Sequence, residues 1–395
     1  MIFYDFEVFK EDWLAVFIDV TRKKEYVIIN NPDELKALYE ANSKDIWVGY
    51  NNRHYDQYIM KGILLGMNPK RINDWIIVEK KEGWQFSSAF NKVPMINYDV
   101  MPNPPVGLKT LEGFLGSNIK ETDVDFRINR KLTKEEIEMT VFYCRHDVEE
   151  TIKVFLEKID EFNAMHGIVQ AFPDIVNLSD IGDSEARITA KVLGCTRRSF
   201  DDEFDFYFLP CLRLKKYKYV QDWFEQKRQE ALSMDLAHMD KYSKRTWYKE
   251  QGLETVIAGI PHSFGFGGVH GATAEPIHKT GQLLHVDVNN YYPSMLIAWG
   301  LVTRAATNDN YPLVYNTRKA MKEKQIAAKN AGNKKEVKRW KKAQLPYKKM
   351  LNALSGAMKD ETNAAYDPRN NNCMCINGQL MLLDLIEHLE VVPGF

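Results

Sequence analysis

The 395-residue sequence has no cysteine pairing pattern and no long apolar run. Its five cysteines are an odd number without C-x-x-C spacing, which argues against a disulfide framework and against a zinc site. No uninterrupted apolar stretch approaches the ~20 residues that a membrane helix needs, and the N-terminus has no basic region followed by an apolar segment. We therefore expect a cytoplasmic protein with reduced thiols and no membrane partner.

The sequence also has almost no net charge, but its charges are unevenly distributed. The formal net charge is -1, whereas residues 318–349 contain thirteen Lys or Arg and two acids. Such a run is most often a solvated helical face, and it is also typical of a surface that contacts nucleic acid or a triphosphate.

The chain of 395 residues is longer than a domain with one hydrophobic core usually is, and the sequence favours a multidomain α/β and α+β fold. Three runs rich in β-branched and aromatic residues, at 2–6, 13–20 and 25–30, predict an antiparallel meander. Helical spacing follows in many places, including a long helix at 133–162 with Thr133 and Glu136 as its capping pair. We predict a first domain at 1–170, a connecting or accessory region at 171–260 and a further domain at 261–395.

The further domain is expected to begin with a glycine-rich turn at 265–271 and a strand at 283–286. Basic helices are predicted at 318–329 and 334–342, and an apolar helix at 378–390.

Three acidic motifs lie within the predicted first domain. Asp5 and Glu7 are two apart on a predicted strand, so both carboxylates point to one face. Asp56 stands where a short strand passes into a helix, and Tyr143 and Asp147 are four apart on one helical face. Each motif alone is more typical of solvated carboxylates, an ordinary turn or an ordinary helix face. Grouped carboxylates, however, favour hard cations such as Mg²⁺.

The order and spacing of these motifs resemble the DEDD-type 3′→5′ proofreading exonucleases. The patterns D-x-E, N-x(2-3)-[FY]-D and Y-x(3)-D all occur without departure, and Leu108-Lys109 resembles the segment that precedes the third motif. The resemblance implies an RNase H-like exonuclease domain with two Mg²⁺ or Mn²⁺ ions. It further implies that the metal ligands are Asp5, Glu7, Asp56 and Asp147. Tyr143 would orient the attacking water, and Asn51 and Tyr55 would hold a single-stranded DNA 3′ end.

A second set of motifs lies in the last third of the chain. The segment Asp287-Val-Asn-Asn-Tyr-Tyr-Pro-Ser294 resembles motif A of family B DNA polymerases, although Asn290 and Tyr291 depart from the pattern. Residues 348–356 resemble motif B, with replacements at Ala353 and Ser355. The resemblance implies a partial polymerase palm and helical fingers that bind primer-template DNA and a deoxynucleoside triphosphate. Asp287 would be a metal ligand in this domain. The residues that would bind the nucleotide are Tyr292, Lys348, Asn352 and Lys324.

Two further expectations follow from the same resemblance. The glycines of 265–268 look like the link between exonuclease and polymerase domains that contacts DNA, which makes Gly267 and Gly268 candidate nucleic-acid contacts. The third polymerase motif, with its second catalytic Asp, does not occur, so we expect a phage-like polymerase portion that is incomplete alone, acting in a host cytoplasm and completed by more chain or by a second polypeptide. An exonuclease alone and a noncatalytic DNA-binding replication protein remain alternatives.

Overall fold

A computed structural model describes residues 1–117, 119, 124–278, 280, 281 and 287–392. The chain divides into two compact units, Met1–Asp183 and Ser184–Phe395. The predicted boundary at 170 falls inside a helix of the first unit. None of the helices in the described ranges combines the length and apolar character needed to cross a membrane.

The first unit is built on a mixed five-stranded sheet. Its strands are β1 (Ile2–Val8), β2 (Trp13–Asp19), β3 (Lys24–Ile29), β4 (Ile46–Gly49) and β5 (Ile96–Asp99). Their order is β3-β2-β1-β4-β5, in which β1, β2 and β3 pair antiparallel while β4 lies parallel to both β1 and β5. The predicted meander of three strands is therefore confirmed, and the central strand is β1.

Side chains alternate along β1 between a face that points into the main core and a face that carries two carboxylates. Tyr4 and Phe6 point into the main core of the unit, where Tyr4 packs against Phe17 and Trp47 with ring centroids 6.2 and 5.9 Å away. Phe3 points to the opposite face and meets Phe155 of a long helix at 5.3 Å. Because the strand period is two, Asp5 and Glu7 lie on this second face.

Within the described ranges of the first unit, six α-helices and four short helical turns surround the sheet. The α-helices are α1 (Pro32–Ala41), α2 (Asp56–Leu64), α3 (Pro69–Asn73), α4 (Leu108–Leu115), α5 (Lys134–Glu157) and α6 (Ile159–Ala171). The short turns span Asp74–Val78, Gly83–Gln85, Ser88–Lys92 and Leu178–Gly182.

The single helix predicted at 133–162 is wrong at its C-terminal end. Thr133 and Glu136 form the expected capping box, but α5 ends at Glu157 and α6 begins at Ile159. Phe155 and Phe162 would lie ~10 Å apart along one continuous helix. In the structure their ring centroids are 5.1 Å apart, so the break allows both rings to pack together.

The second unit is mainly helical. Its helices are α7 (Glu185–Val192), α8 (Lys218–Ser233), α9 (Lys241–Glu250), α10 (Tyr291–Ala298), α11 (Asn310–Asn330), α12 (Lys334–Ala343), α13 (Leu345–Lys359) and α14 (Pro368–Glu390), with a short turn at Leu236–His238. Its strands β6 (Leu253–Ile257), β7 (Ile260–Phe264) and β8 (His270–Gly271) form an antiparallel sheet in that order.

Several predictions for this unit can be compared with its elements. Both basic helices are present, although α11 begins at Asn310 rather than 318. The apolar helix begins at Pro368 rather than 378, because Asp367 caps it there. The region 171–260 contains α7, α8, α9 and β6, and it ends at the first residue of β7. The strand predicted at 283–286 lies outside the described residues.

A balanced charge network, Arg304 with Arg369, Asp202 and Asp367, links two loops of the second unit to the start of α14. The Arg304 guanidinium donates to Asp367 and Asp202, with shortest distances of 2.6 Å to each carboxylate. Arg369 also lies 3.3 Å from Asp202. The Asp367 side chain is fully buried, so this network joins segments that are far apart in the sequence through a desolvated contact.

Candidate metal centre

Carboxylates from three elements of the first unit converge beside β1. Asp5 and Glu7 share the face of β1 that meets α5, as their spacing predicted, and their oxygens lie within 4.8 Å of each other. Asp56 is the first residue of α2 and is buried, and its Oδ1 accepts a hydrogen bond of 3.0 Å from the Phe6 amide. That hydrogen bond fixes the Asp56 carboxylate against the central strand.

The α5 helix brings a fourth carboxylate to the same place. Asp147 raises the pKa of both Asp5 and Glu7, which shows that its charge reaches them. Tyr143 lies one turn earlier, and its hydroxyl donates a hydrogen bond to Asp147. The charges of these carboxylates therefore act on one another and on Tyr143, while ligand atoms lie within 4.8 Å of one another for Asp5 with Glu7 and, separately, for Asp147 with Glu112 and His146.

The site holds more negative charge than the protein neutralises. Burial raises the pKa of Asp5 and Glu7 well above their usual values, and repulsion from Asp56 and Asp147 raises both further. Burial raises the pKa of Asp56 to about 7, although the hydrogen bond from Phe6 opposes the shift. Such shifts indicate a pocket in which an added cation would be stabilised.

One lysine partly offsets this charge. Lys109 of α4 forms an ion pair and hydrogen bond with Asp147 and lies 3.0 Å from Glu112 Oε1. Burial opposes the positive charge of Lys109, but these two carboxylates raise its pKa overall. The sequence pointed to Leu108-Lys109 only as a segment that resembles the family, and it gave the lysine no role.

Behind Lys109 lies a buried pair that the sequence did not indicate. Glu112 is fully buried, and its Oε2 is 3.6 Å from His146 Nε2 without a hydrogen bond. Ligand atoms of Glu112, His146 and Asp147 lie within 4.8 Å of one another. Lys109 already pairs with Glu112 and Asp147. The Glu112, His146 and Asp147 cluster therefore holds the lysine in place, and it is a weaker candidate for a metal site than the carboxylates beside β1.

The donor set beside β1 fits a hard divalent cation. Mg²⁺ and Mn²⁺ prefer carboxylate oxygens, and Asp5, Glu7, Asp56 and Asp147 supply them. The nearby Cys144 thiol is 3.4 Å from Asp5 Oδ2 and donates to it. Burial and the neighbouring acids raise the pKa of Cys144 well above its usual value, so it remains a thiol and does not provide a thiolate for a soft metal.

The two residues predicted to hold a DNA 3′ end precede Asp56 in the sequence. Asn51 has a left-handed backbone with φ 58°, and its amide donates to Asp99 Oδ1 at 2.9 Å. The Tyr55 hydroxyl donates to Asn73 Oδ1 at 2.7 Å, and its ring packs against the main core. Asp99 is a positioning residue that the sequence did not indicate, because its partners lie 46 to 48 positions away.

The polymerase-like residues are more dispersed and more exposed. Asp287 is an exposed loop residue ahead of α10, and Tyr292 is half-buried on α10, where its ring centroid is 5.5 Å from that of Tyr291. Lys348 and Asn352 are exposed on one face of α13. The Lys324 ammonium of α11 lies over the Trp340 ring of α12 at 4.7 Å, which joins the two basic helices.

The two glycines predicted to contact DNA follow β7. A Cβ atom added at Gly267 or Gly268 would meet no heavy atom within 4 Å. Neither position is therefore crowded by the described part of the chain.

No protein-family model matches the chain, and no curated protein matches it significantly.

Proposed function

We propose that the chain acts in DNA synthesis and resembles family B DNA polymerases, and that its first unit is a metal-dependent 3′→5′ proofreading exonuclease. One observation carries the nuclease proposal: Asp5 and Glu7 of β1 have oxygens within 4.8 Å of each other, and the charges of Asp56 on α2 and Asp147 on α5 raise the pKa of both. Within the described ranges, Lys109 is the lysine that pairs with Asp147. The mixed five-stranded sheet is compatible with the RNase H-like domain that the resemblance implies.

The metal part of the proposal concerns two Mg²⁺ or Mn²⁺ ions. Asp5, Glu7, Asp56 and Asp147 would hold them, and the bound ions would supply the activation of water and the stabilisation of the departing oxygen. Cleavage adds water across the terminal phosphodiester, breaks the bond from phosphorus to the 3′ oxygen, and releases a nucleoside 5′-monophosphate.

The other residues of the site have roles that their contacts support. The Tyr143 hydroxyl, held by Asp147, would orient the attacking water. The Lys109 ammonium would stabilise negative charge that develops on the phosphoryl oxygens. Asn51 and Tyr55 would contact the single-stranded 3′ end, which requires little sequence preference because stacking and backbone contacts dominate.

The polymerase part of the proposal concerns residues 261–395 as a partial palm and helical fingers. Asp287 would bind catalytic metal, and Tyr292 would restrict the sugar. The exposed face of α13 would present Lys348 and Asn352 to a nucleoside triphosphate, with Lys324 as a further ligand. Primer-template DNA is the proposed partner of this unit, with Gly267 and Gly268 among its contacts.

The nuclease proposal is tested with a 5′-labelled single-stranded DNA, the full chain, and Mg²⁺ or Mn²⁺. We expect stepwise shortening from the 3′ end that is lost in Asp5→Ala/Glu7→Ala. The matched control is Glu135→Ala/Glu138→Ala, which removes two exposed carboxylates from α5 and should cleave normally. Absence of metal-dependent cleavage in the unmodified chain would reject the nuclease and favour a noncatalytic DNA-binding protein.

A further inference from the structure

A second group of side chains of the metal-ligand type lies behind Lys109. It consists of Glu112 on α4 with His146 and Asp147 on α5, and one ligand atom from each lies within 4.8 Å of the other two. The group differs from the carboxylates beside β1 because it contains an imidazole. The two helices therefore bring a mixed nitrogen and oxygen donor set together.

Two donor atoms of this group are buried and lack a partner. Glu112 is fully buried, and His146 is 9% exposed. Glu112 Oε2 and His146 Nε2 make no hydrogen bond in the described part of the chain. Buried polar atoms in proteins nearly always have a partner, so two adjacent exceptions indicate that a further group binds between them.

The distance between these two atoms fits a shared metal ion. Glu112 Oε2 lies 3.6 Å from His146 Nε2, which is too long for a hydrogen bond. Two donors that each lie ~2.0–2.1 Å from a tetrahedral zinc ion are separated by ~3.3 Å. A small movement of either side chain would therefore give zinc geometry, with Asp147 as the third protein ligand and water as the fourth.

Lys109 neutralises only part of this group. Its ammonium is 3.0 Å from Glu112 Oε1 and pairs with Asp147, but Glu112 Oε2 and His146 Nε2 remain without a hydrogen bond within the described ranges. The Lys109 side chain is 26% exposed. Because a lysine stem is flexible, the ammonium can move into solvent when a divalent cation binds.

The donor set determines which cation binds. Imidazole favours Zn²⁺ and related transition metals, whereas Mg²⁺ prefers oxygen ligands alone. The carboxylates beside β1 are therefore the better Mg²⁺ site, and the group on α4 and α5 is the better Zn²⁺ site. Asp147 belongs to both donor sets, so the two cations compete for its carboxylate.

We propose that Glu112, His146 and Asp147 form a transition-metal site that takes Zn²⁺ in place of the Lys109 ammonium. The bound Zn²⁺ would draw Asp147 away from the Mg²⁺ ions and separate it from Lys109, so it would inhibit cleavage. This inhibition rests on the proposed function, whereas the binding of Zn²⁺ does not.

The test titrates the full chain with Co²⁺, which binds to zinc sites and absorbs visible light. Mg²⁺ is present in excess to occupy the carboxylates beside β1. We expect a visible cobalt spectrum that added Zn²⁺ abolishes. His146→Gln should weaken Co²⁺ binding at least about tenfold, because even the loss of a group that only supports a metal ligand costs about 10–100-fold.

The matched control is His238→Gln. It removes an exposed imidazole that also contacts a carboxylate, that of Asp235 at 2.7 Å, and it should bind Co²⁺ like the unmodified chain.

Two further variants separate the zinc site from the fold and from the Mg²⁺ site. Lys109→Met should strengthen Co²⁺ binding because it removes the competing ammonium, and damage to the fold would not produce that gain. Asp5→Ala/Glu7→Ala should retain Co²⁺ binding. The proposal would be overturned by unchanged binding in His146→Gln, by binding that is not strengthened in Lys109→Met, or by loss of binding in Asp5→Ala/Glu7→Ala.

The titration needs no DNA, so failure of the zinc site and failure of the nuclease give different results. A chain without nuclease activity would still show the cobalt spectrum. A chain without the zinc site would show Mg²⁺-dependent cleavage and no cobalt spectrum.

Discussion

The two units contain charge clusters that differ in their balance of acidic and basic groups. In the described part of the first unit, the carboxylates of Asp5, Glu7, Asp56 and Asp147 face the ammonium group of Lys109, and their pKa values are raised. In the second unit, Asp202 and Asp367 face Arg304 and Arg369, and the hydrogen bond from Arg304 lowers the pKa of Asp202. A balanced cluster stabilises the fold by itself, whereas an unbalanced one is typical of a site that requires a ligand of opposite charge.

The largest expected effect is on the balanced cluster. Arg304→Met leaves the fully buried Asp367 carboxylate without its main partner, and removal of one partner from a buried pair costs about 3–5 kcal/mol. Denaturant unfolding should show this loss. The control is Arg127→Met, which breaks a solvent-exposed pair with Asp125 and should change stability little. Equal effects of the two substitutions would mean that the Arg304 cluster is no more than a surface contact.

The next effect concerns Lys109, the lysine that pairs with Asp147 in the described part of the carboxylate cluster. Lys109→Met should reduce metal-dependent cleavage about 100-fold, since one preorganised donor to developing charge contributes ~2.7–4 kcal/mol. Single-turnover cleavage of labelled DNA measures the rate. Lys134→Met on the exposed face of α5 is the control, because Lys134 and its carboxylate partner Glu138 are both exposed and neither belongs to the carboxylate cluster beside β1. Normal single-turnover cleavage by Lys109→Met would exclude an electrostatic role for this lysine.

The sequence predicted the parts of the carboxylate site that depend on local periodicity. The period of a strand places Asp5 beside Glu7, and the period of a helix places Tyr143 beside Asp147. Asp56 was predicted only through the resemblance, because its hydrogen bond to Phe6 spans 50 positions.

Other features depend on tertiary packing and could not be predicted. Lys109 reaches Asp147 across 38 positions, and Arg304 reaches Asp202 across 102. No repeating pattern in the sequence records such pairs. The break between α5 and α6 was missed for the same reason, because it follows from the packing of Phe162 against Phe155.

The smallest expected effect is a pH dependence of folding stability that comes from the carboxylate cluster of the first unit. In metal-free protein, burial raises the pKa of Asp56 to about 7, above the ~3.9 of an unfolded Asp. Between these values the folded state binds more protons at Asp56, so the contribution of this group to stability falls as the pH rises from about 4 to 7. Glu7 contributes with the same sign, because burial and repulsion from Asp147 and Asp56 raise its pKa.

Glu7→Gln removes one of the repelling charges without a change in side-chain shape. In EDTA at neutral pH, this variant should be more stable than the unmodified chain by about 1 kcal/mol, a gain typical of relieved strain at a functional site. The gain should shrink as the pH falls toward 4, where Glu7 becomes protonated in both states. Thermal unfolding across this pH range measures it, with Glu138→Gln on the exposed face of α5 as the control. A gain that is independent of pH would show that repulsion among the carboxylates is not its source, and the contrast between the two clusters would then have to rest on their geometry alone.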